Sequence, residues 1–274
     1  VCDKLNVRNL VSFCILFCIF NSRHIFLNPN HLFEDCNGTP IDYRKHFQEL
    51  GDGVYIGKIF TDEFCEDVLE RISHVDAQAN AARCIAANSM HWNALPAAQI
   101  GIEPLVGSLV ELFDQEIAPN ILPERLRLPI DDIHSYIVRY GHSSDRDLGF
   151  HIDDSFLTLN ICLNEGFTGS ELVFEGERCP THVDTHSSAH ERLCVEHQKG
   201  SMVVHPGKNR HFVNWISSGE RCNLIIWCQN KAERDRWFAS QNSGECLEFC
   251  GELSKHSGSE PTSTFDHLQK SATL

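Results

Sequence analysis

Positive charge is scarce in this sequence. Its 274 residues carry 23 Lys and Arg against 38 Asp and Glu, a formal net charge of −15. Nucleic-acid binding is dominated by the neutralisation of phosphates. This balance therefore argues against a nucleic-acid partner, and no basic patch lies near the motifs described below. The charge weakly favours basic or neutral substrates, and it equally serves solubility. Long apolar runs are missing too. Leu10–Phe20 (LVSFCILFCIF) falls well short of the ~20 residues that span a bilayer. With Lys4 and Arg8 ahead of it, it resembles a signal peptide, although no clean small-residue cleavage site follows. Two readings stand: a targeting or anchoring segment for the endoplasmic reticulum or another membrane, and a buried strand or helix. The sequence opens on Val1, which fits a processed chain or a piece of a longer one. A glycosylation sequon at Asn37-Gly38-Thr39 is weakened by Pro40.

A disulfide framework is also lacking. The 13 cysteines are odd in number and scattered rather than framed as in small disulfide scaffolds. Cys162, Cys222 and Cys228 fall inside predicted strands and read as small buried hydrophobes. Cys179, His182, His186, His190, Cys194 and His197 cluster between two strands. Their spacing matches no structural zinc module, and Thr185, Ser187 and Ser188 among them point to a solvated loop. Cys246 and Cys250 are placed to share a helix face, where a metal is not expected.

What is present divides the chain in three. Residues 1–45 hold the apolar segment and a linker, 46–230 one domain, and 231–274 a polar tail expected to be disordered. Within the domain, Val54–Phe60 reads as a strand. Thr61 then fits a helix N-cap, with Phe64, Val68, Leu69, Ile72 and Val75 at helical spacing. A second helix is expected over PLVGSLVELFDQEI. From Ile133 the period switches to two. Leu157, Leu159, Ile161 and Leu163 alternate with Thr158 and Asn160. Cys222, Leu224, Ile226 and Cys228 alternate with Arg221 and Asn223. Such short strands with Gly-rich turns suggest a sandwich or barrel. The predicted fold is mainly β with flanking helices, a double-stranded β-helix of the jelly-roll, cupin-like kind.

The chemistry concentrates in residues 148–227. In His151-Ile152-Asp153 an extended backbone sends both polar side chains to one face. A distant histidine would complete a two-His-one-carboxylate set, the usual holder of non-haem Fe(II); the same set suits zinc. His197, His205 and His211 compete for that role, and His205 precedes Pro206-Gly207, where the chain must turn. Arg221 opens an apolar strand, and the Ser-Gly signal before it suggests a hairpin that returns it beside His211. Arginine grips carboxylates through paired hydrogen bonds. A cosubstrate that chelates iron at one end and offers a carboxylate at the other, such as 2-oxoglutarate, would fit.

Together the segments IVRY, HIDDS, FLTLNICLN, FTGSELVF, MVVHPGKNRH and GERCNLIIW occur in an order that resembles the Fe(II)/2-oxoglutarate-dependent dioxygenases of the prolyl/lysyl hydroxylase-like branch. The likeness is closest to procollagen lysyl hydroxylase catalytic domains and to the 2-oxoglutarate and iron-dependent oxygenase domain-containing proteins, and covers roughly Ile137–Trp227. It implies Fe(II) on His151, Asp153 and His211. It also implies 2-oxoglutarate anchored by Arg221, with Tyr140 and Asn160 as further contacts. O2 would be consumed, ascorbate would rescue iron oxidised in uncoupled turnovers, and the substrate would be a protein or peptide side chain, lysine before proline. Leu148 supports lysine, because prolyl hydroxylases often carry tyrosine there. Gly176–Arg192 is longer than its family counterpart, and Glu175, Glu177, Asp184 and Glu191 in or beside it are candidate acceptors for a lysine ammonium. The competing expectations are a catalytically idle cupin-like metal-binding module, a dioxygenase acting on a small molecule, and a zinc hydrolase with Asp154 as base.

Overall fold

The computed structural model describes residues 42–51, 53–82 and 94–250. The apolar segment at residues 10–20, the sequon and the tail beyond residue 250 lie outside them. Two strands, β1 (Phe47–Gly51) and β2 (Val54–Lys58), lead into helix α1 (Asp62–Ala82). The Thr61 hydroxyl accepts from the Phe64 amide at 3.2 Å, the predicted cap. After β3 (Leu95–Pro96), α2 (Glu103–Leu112) runs on through a π-helical turn at Phe113–Ile117.

Ten strands complete the fold: β4 (Asp132–Tyr140), β5 (Leu148–His151), β6 (Leu157–Cys162), β7 (Thr168–Gly169), β8 (Leu172–Glu177), β9 (Leu193–Val195), β10 (Ser201–Pro206), β11 (Asn209–Val213), β12 (Ile216–Ser218) and β13 (Arg221–Gln229). One sheet has the order β1-β2-β10-β6-β13-β4-β3, and a second has β5-β11-β8-β9. From β4 onward the chain crosses repeatedly between the sheets. β10-β6-β13-β4 thus faces β5-β11-β8-β9, the strand order of a double-stranded β-helix. The predicted jelly roll is the observed fold.

The period-two pattern has a clear cause. Leu157, Leu159, Ile161, Leu224, Ile226 and Met202 belong to one core, which α1 and α2 cover with Phe64, Val68, Ile72, Leu105 and Leu109. The opposite face of the same strands turns into the roll. There Tyr136, Val138, Tyr140, Ile225 and Trp227 pack with Leu172, Phe174 and Val213 of the second sheet. Side chains alternate between faces along a strand, so the polar members Thr158, Asn160, Arg221 and Asn223 are carried into the interior. Cys162, Cys222 and Cys228 are buried and free, as small hydrophobes.

Two expectations need correction. The connection from His211 to Arg221 is not a hairpin. β11 and β13 belong to different sheets, and β12 between them pairs with β7. The chain crosses the roll instead of reversing within a sheet. The tail from Lys231 is also ordered at its start, where α3 (Lys231–Ser243) forms. Its side chains are mostly polar around its circumference, so periodicity gives no signal; the signal lies in its ends. The Asn230 side chain accepts from the Glu233 amide at 2.9 Å, and Gly244 closes the helix with φ of 75°. Arg234 pairs with Asp154 at 2.8 Å, and Trp237 lies under the Lys208 ammonium, so α3 is docked on the roll. Asn230 also donates to the Pro129 carbonyl. Asn230→Ala should therefore cost about 1–2 kcal/mol, read as a lowered denaturant midpoint with an unchanged slope.

Candidate active site

His151 ends β5, and His211 lies directly opposite it on β11. Their rings are 4.2 Å apart. Asp153 follows two residues past His151, with its Oδ1 at 3.5 Å from His151 Nε2 and 3.8 Å from His211 Nε2. The donor atoms of the three lie within 4.8 Å of one another. Each imidazole is oriented from behind. His151 Nδ1 meets the Gly149 carbonyl at 2.7 Å, and His211 Nδ1 meets the Asn209 carbonyl at 2.9 Å. Donation from Nδ1–H leaves both Nε2 lone pairs facing Asp153, the arrangement that metal-binding histidines need. Burial, then repulsion from His151, lowers the pKa of His211 to about 3, so its imidazole is neutral. Burial opposes ionisation of Asp153, but the neighbouring His211 and His151 outweigh it and hold the carboxyl well below its usual range. The Thr158 hydroxyl donates to Asp153 Oδ2 at 2.6 Å. Two imidazoles and one carboxylate are the donor set of a non-haem Fe(II) site, so the residues fit the metal that the sequence resemblance implies.

The Pro206-Gly207 turn packs against the segment that carries Asp153. The Asp153 amide donates to the Gly207 carbonyl at 2.8 Å, and Lys208 Nζ reaches the Asp153 carbonyl at 2.8 Å. A Cβ on Gly207 would collide with the Ser155 backbone, which explains the glycine. His205 approaches this group without joining it. Its Nε2 is 3.8 Å from Asp153 Oδ2 and has no hydrogen-bond partner.

Arg221 enters the interior at the start of β13, 1% exposed and paired in register with Tyr140 on β4. Its guanidinium donates to Asn223 Oδ1 at 2.9 Å, to His197 Nδ1 at 2.8 Å, and to the carbonyl of Ser170. It stacks over Tyr140 and Phe167. Asn223 Nδ2 in turn donates to Asn160 Oδ1 at 2.5 Å. Arg221, Tyr140 and Asn160, read separately from the sequence, thus belong to one buried cluster joined through Asn223. Among the described residues, no carboxylate forms an ion pair with Arg221. A buried cation without a counter-ion is expensive, and a bound carboxylate would remove that cost. Ser170, which receives Arg221, is held at φ of 63°. For a residue with a side chain, that conformation costs about 1–2 kcal/mol, a strain the Arg221 contact holds in place.

Three contributors were missed. His197 was grouped with the loop cysteines and considered as a metal ligand, yet it abuts Arg221. Its Nε2 meets the Ser201 carbonyl at 3.1 Å. Burial, then the Arg221 charge, keeps it neutral. Ser170 carried no signal apart from its place in FTGSELVF. Tyr136 faces the same interior as Tyr140, four residues along β4, and period-two reasoning applied to Tyr140 would have found it.

The Gly176–Arg192 segment departs from expectation as well. It is not simply solvated. Arg210, 1% exposed, donates to the carbonyls of Val183, Thr185 and Glu175. Arg178 pairs with Glu191 at 2.7 Å, Arg125 with Glu177 at 2.6 Å, and Arg192 approaches Glu175. Three of the four proposed lysine acceptors are therefore engaged by arginines. Asp154, the base that a zinc hydrolase would need, pairs with Arg234 on the surface. Cys179 and His182 separate from the rest of their loop cluster and meet Cys246 and Cys250.

No family model matches the chain. An Arabidopsis thaliana protein, 2-oxoglutarate and iron-dependent oxygenase domain-containing protein ICU11, is 33% identical over 77% of this chain and 53% of its own length. A Drosophila melanogaster procollagen-lysine,2-oxoglutarate 5-dioxygenase is 20% identical over 73% of this chain and 26% of its own length. A Pseudomonas putida prolyl-4-hydroxylase structure aligns with 65% of this chain and 88% of that one, at 16% identity and a TM-score of 0.43. The chain spans about half the length of the 2-oxoglutarate and iron-dependent oxygenase domain-containing proteins it matches. Sequence, strand order and the grouping of His151, Asp153 and His211 make this chain a relative of the 2-oxoglutarate and iron-dependent oxygenases.

Proposed function

We propose that this chain is an Fe(II)- and 2-oxoglutarate-dependent dioxygenase that hydroxylates a side chain of a protein or peptide, lysine in preference to proline. The observation that carries the reaction class is the buried Arg221, which has no carboxylate partner among the described residues and stacks on Tyr140 in the same interior cluster that packs against His211. Bound iron and 2-oxoglutarate would supply O2 activation, with one oxygen atom entering a C–H bond and the other leaving in succinate as CO2 is released. The protein's part is positional. His151, Asp153 and His211 hold the metal. Arg221, set by Asn223, Ser170 and His197, holds the distal carboxylate, while Tyr140 and Tyr136 help exclude water. Burial raises the pKa of both phenols, so they remain neutral donors. Ascorbate is the proposed reductant for iron oxidised in unproductive turnovers.

The lysine preference rests on Leu148 and the HPGKNRH segment. The acidic loop no longer supports it, because its glutamates are paired. A place at the endoplasmic reticulum or another membrane rests on Leu10–Phe20 alone; among the described residues no helix is long and apolar enough to cross one.

The test is succinate release against peptides containing lysine or proline, followed by mass analysis of each peptide. Succinate coupled to a 16-Da gain on lysine is expected (an added oxygen, about 16 Da). Oxygen added only to proline or to a free amino acid would overturn the substrate assignment. No turnover by iron-loaded protein with any of them would favour the idle metal-binding module.

A further inference from the structure

The Cys179–Cys250 cluster stands apart from the roll's interior and has no part in the reaction above. Cys179 precedes and His182 ends a short 3-10 turn, Pro180–His182, in the loop after β8. Cys246 and Cys250 follow α3. The four donor atoms lie within 4.8 Å of one another. His182 Nδ1 is 3.2 Å from Cys179 Sγ, 3.4 Å from Cys250 Sγ and 3.7 Å from Cys246 Sγ. Cys179 Sγ and Cys246 Sγ are 3.8 Å apart, and none of the three cysteines is in a disulfide.

These separations are those of a tetrahedron around one ion. Zn–S bonds of about 2.3 Å and Zn–N bonds of about 2.0–2.1 Å place sulfurs about 3.8 Å apart and sulfur and nitrogen about 3.6 Å apart. Hydrogen bonding alone does not account for the arrangement, since a single imidazole Nδ1 makes one such bond and three sulfurs surround it. A disulfide would join two of the thiols and leave the third and the histidine unexplained. Three thiolates and one imidazole select zinc over magnesium or calcium, which take oxygen ligands. The spacings also fit paired ligands: two residues separate Cys179 from His182, and three separate Cys246 from Cys250.

We propose that Cys179, His182, Cys246 and Cys250 form a structural zinc site. It fastens the segment after α3 to the loop after β8. Four protein ligands close the coordination sphere, so the site leaves no open position for catalysis. Leu247 and Phe249, within the fastened segment, form one wall of a groove whose other wall includes Phe156, Pro206 and Lys208 beside the iron ligands. The zinc therefore holds part of the surface adjoining the active centre. This inference stands whether or not the chain hydroxylates a peptide.

The experiment removes the other metal site first. A His151→Ala/Asp153→Ala chain is analysed for zinc, and its cobalt(II)-substituted form is examined for thiolate-to-cobalt charge-transfer absorption. About one zinc per chain and a cobalt–thiolate band are expected, both lost in the same background with Cys246→Ser and Cys250→Ser added. A second measurement avoids cysteine substitutions. In the His151→Ala/Asp153→Ala chain, chelation should expose three thiols to a disulfide reagent, speed proteolysis between residues 244 and 250, and be reversed by added zinc. A reduced chain that holds no zinc, and whose thiols react equally fast with and without it, would overturn the proposal. So would a Cys179–Cys246 disulfide persisting in protein saturated with zinc.

Discussion

Asp153→Ala should abolish Fe(II) retention while the roll remains folded. The substitution removes the sole carboxylate donor of the three and leaves two imidazoles, which hold a divalent ion far more weakly. Among its hydrogen bonds, the truncation removes the one from Thr158 and keeps that of the Asp153 amide to Gly207, so the melting transition should stay cooperative. His211→Ala should lose iron in the same way. His205→Ala should keep it, although His205 Nε2 comes within 3.8 Å of Asp153 Oδ2. His205 points at the opposite carboxylate oxygen from the one shared by His151 and His211. The measurement is iron content after anaerobic reconstitution, alongside circular dichroism. Loss of iron from His205→Ala with retention by His211→Ala would reverse the ligand assignment.

Arg221→Ala should raise the apparent 2-oxoglutarate dissociation constant steeply with iron content nearly unchanged. Truncating one partner of a buried, hydrogen-bonded charge pair typically costs about 2–5 kcal/mol, a weakening of about 30-fold to several-thousand-fold. Arg221→Lys should recover little, because an ammonium does not reproduce the planar fork that Asn223, Ser170 and His197 position. Equilibrium binding of 2-oxoglutarate to the iron-loaded variant decides it. An unchanged affinity would remove Arg221 from the cosubstrate site.

Much of this centre was legible because β-strand periodicity writes the two faces of a sheet into alternate residues. The apolar set Leu157, Leu159 and Ile161 announced the helix-covered face. Its complement, Thr158 and Asn160, announced the interior. His151 and Asp153 were readable as neighbours for the same local reason. What escaped was set by tertiary closure. His197 reaches Arg221 because β10 brings the segment before it across the roll, and nothing near His197 in sequence records that. Cys179 and Cys250 meet only once α3 docks. The α3 helix itself was hidden by its polar surface, although Asn230, Glu233 and Gly244 marked its ends. The salt-bridged glutamates of β8 and the loop after it show the converse error, since carboxylates counted from sequence are not necessarily available to a ligand.

The position of β13 has a kinetic consequence. It is hydrogen-bonded on one side to β4 and on the other to β6, both of which precede it in the chain by a long interval. Its pairing closes large loops before any contact repays their entropy, and such topologies fold slowly. Arg221 and Asn223 arrive with that strand. On an emerging nascent chain, His151, Asp153 and His211 are therefore made before Arg221 and Asn223, and the interior they face closes only when β13 inserts between β4 and β6.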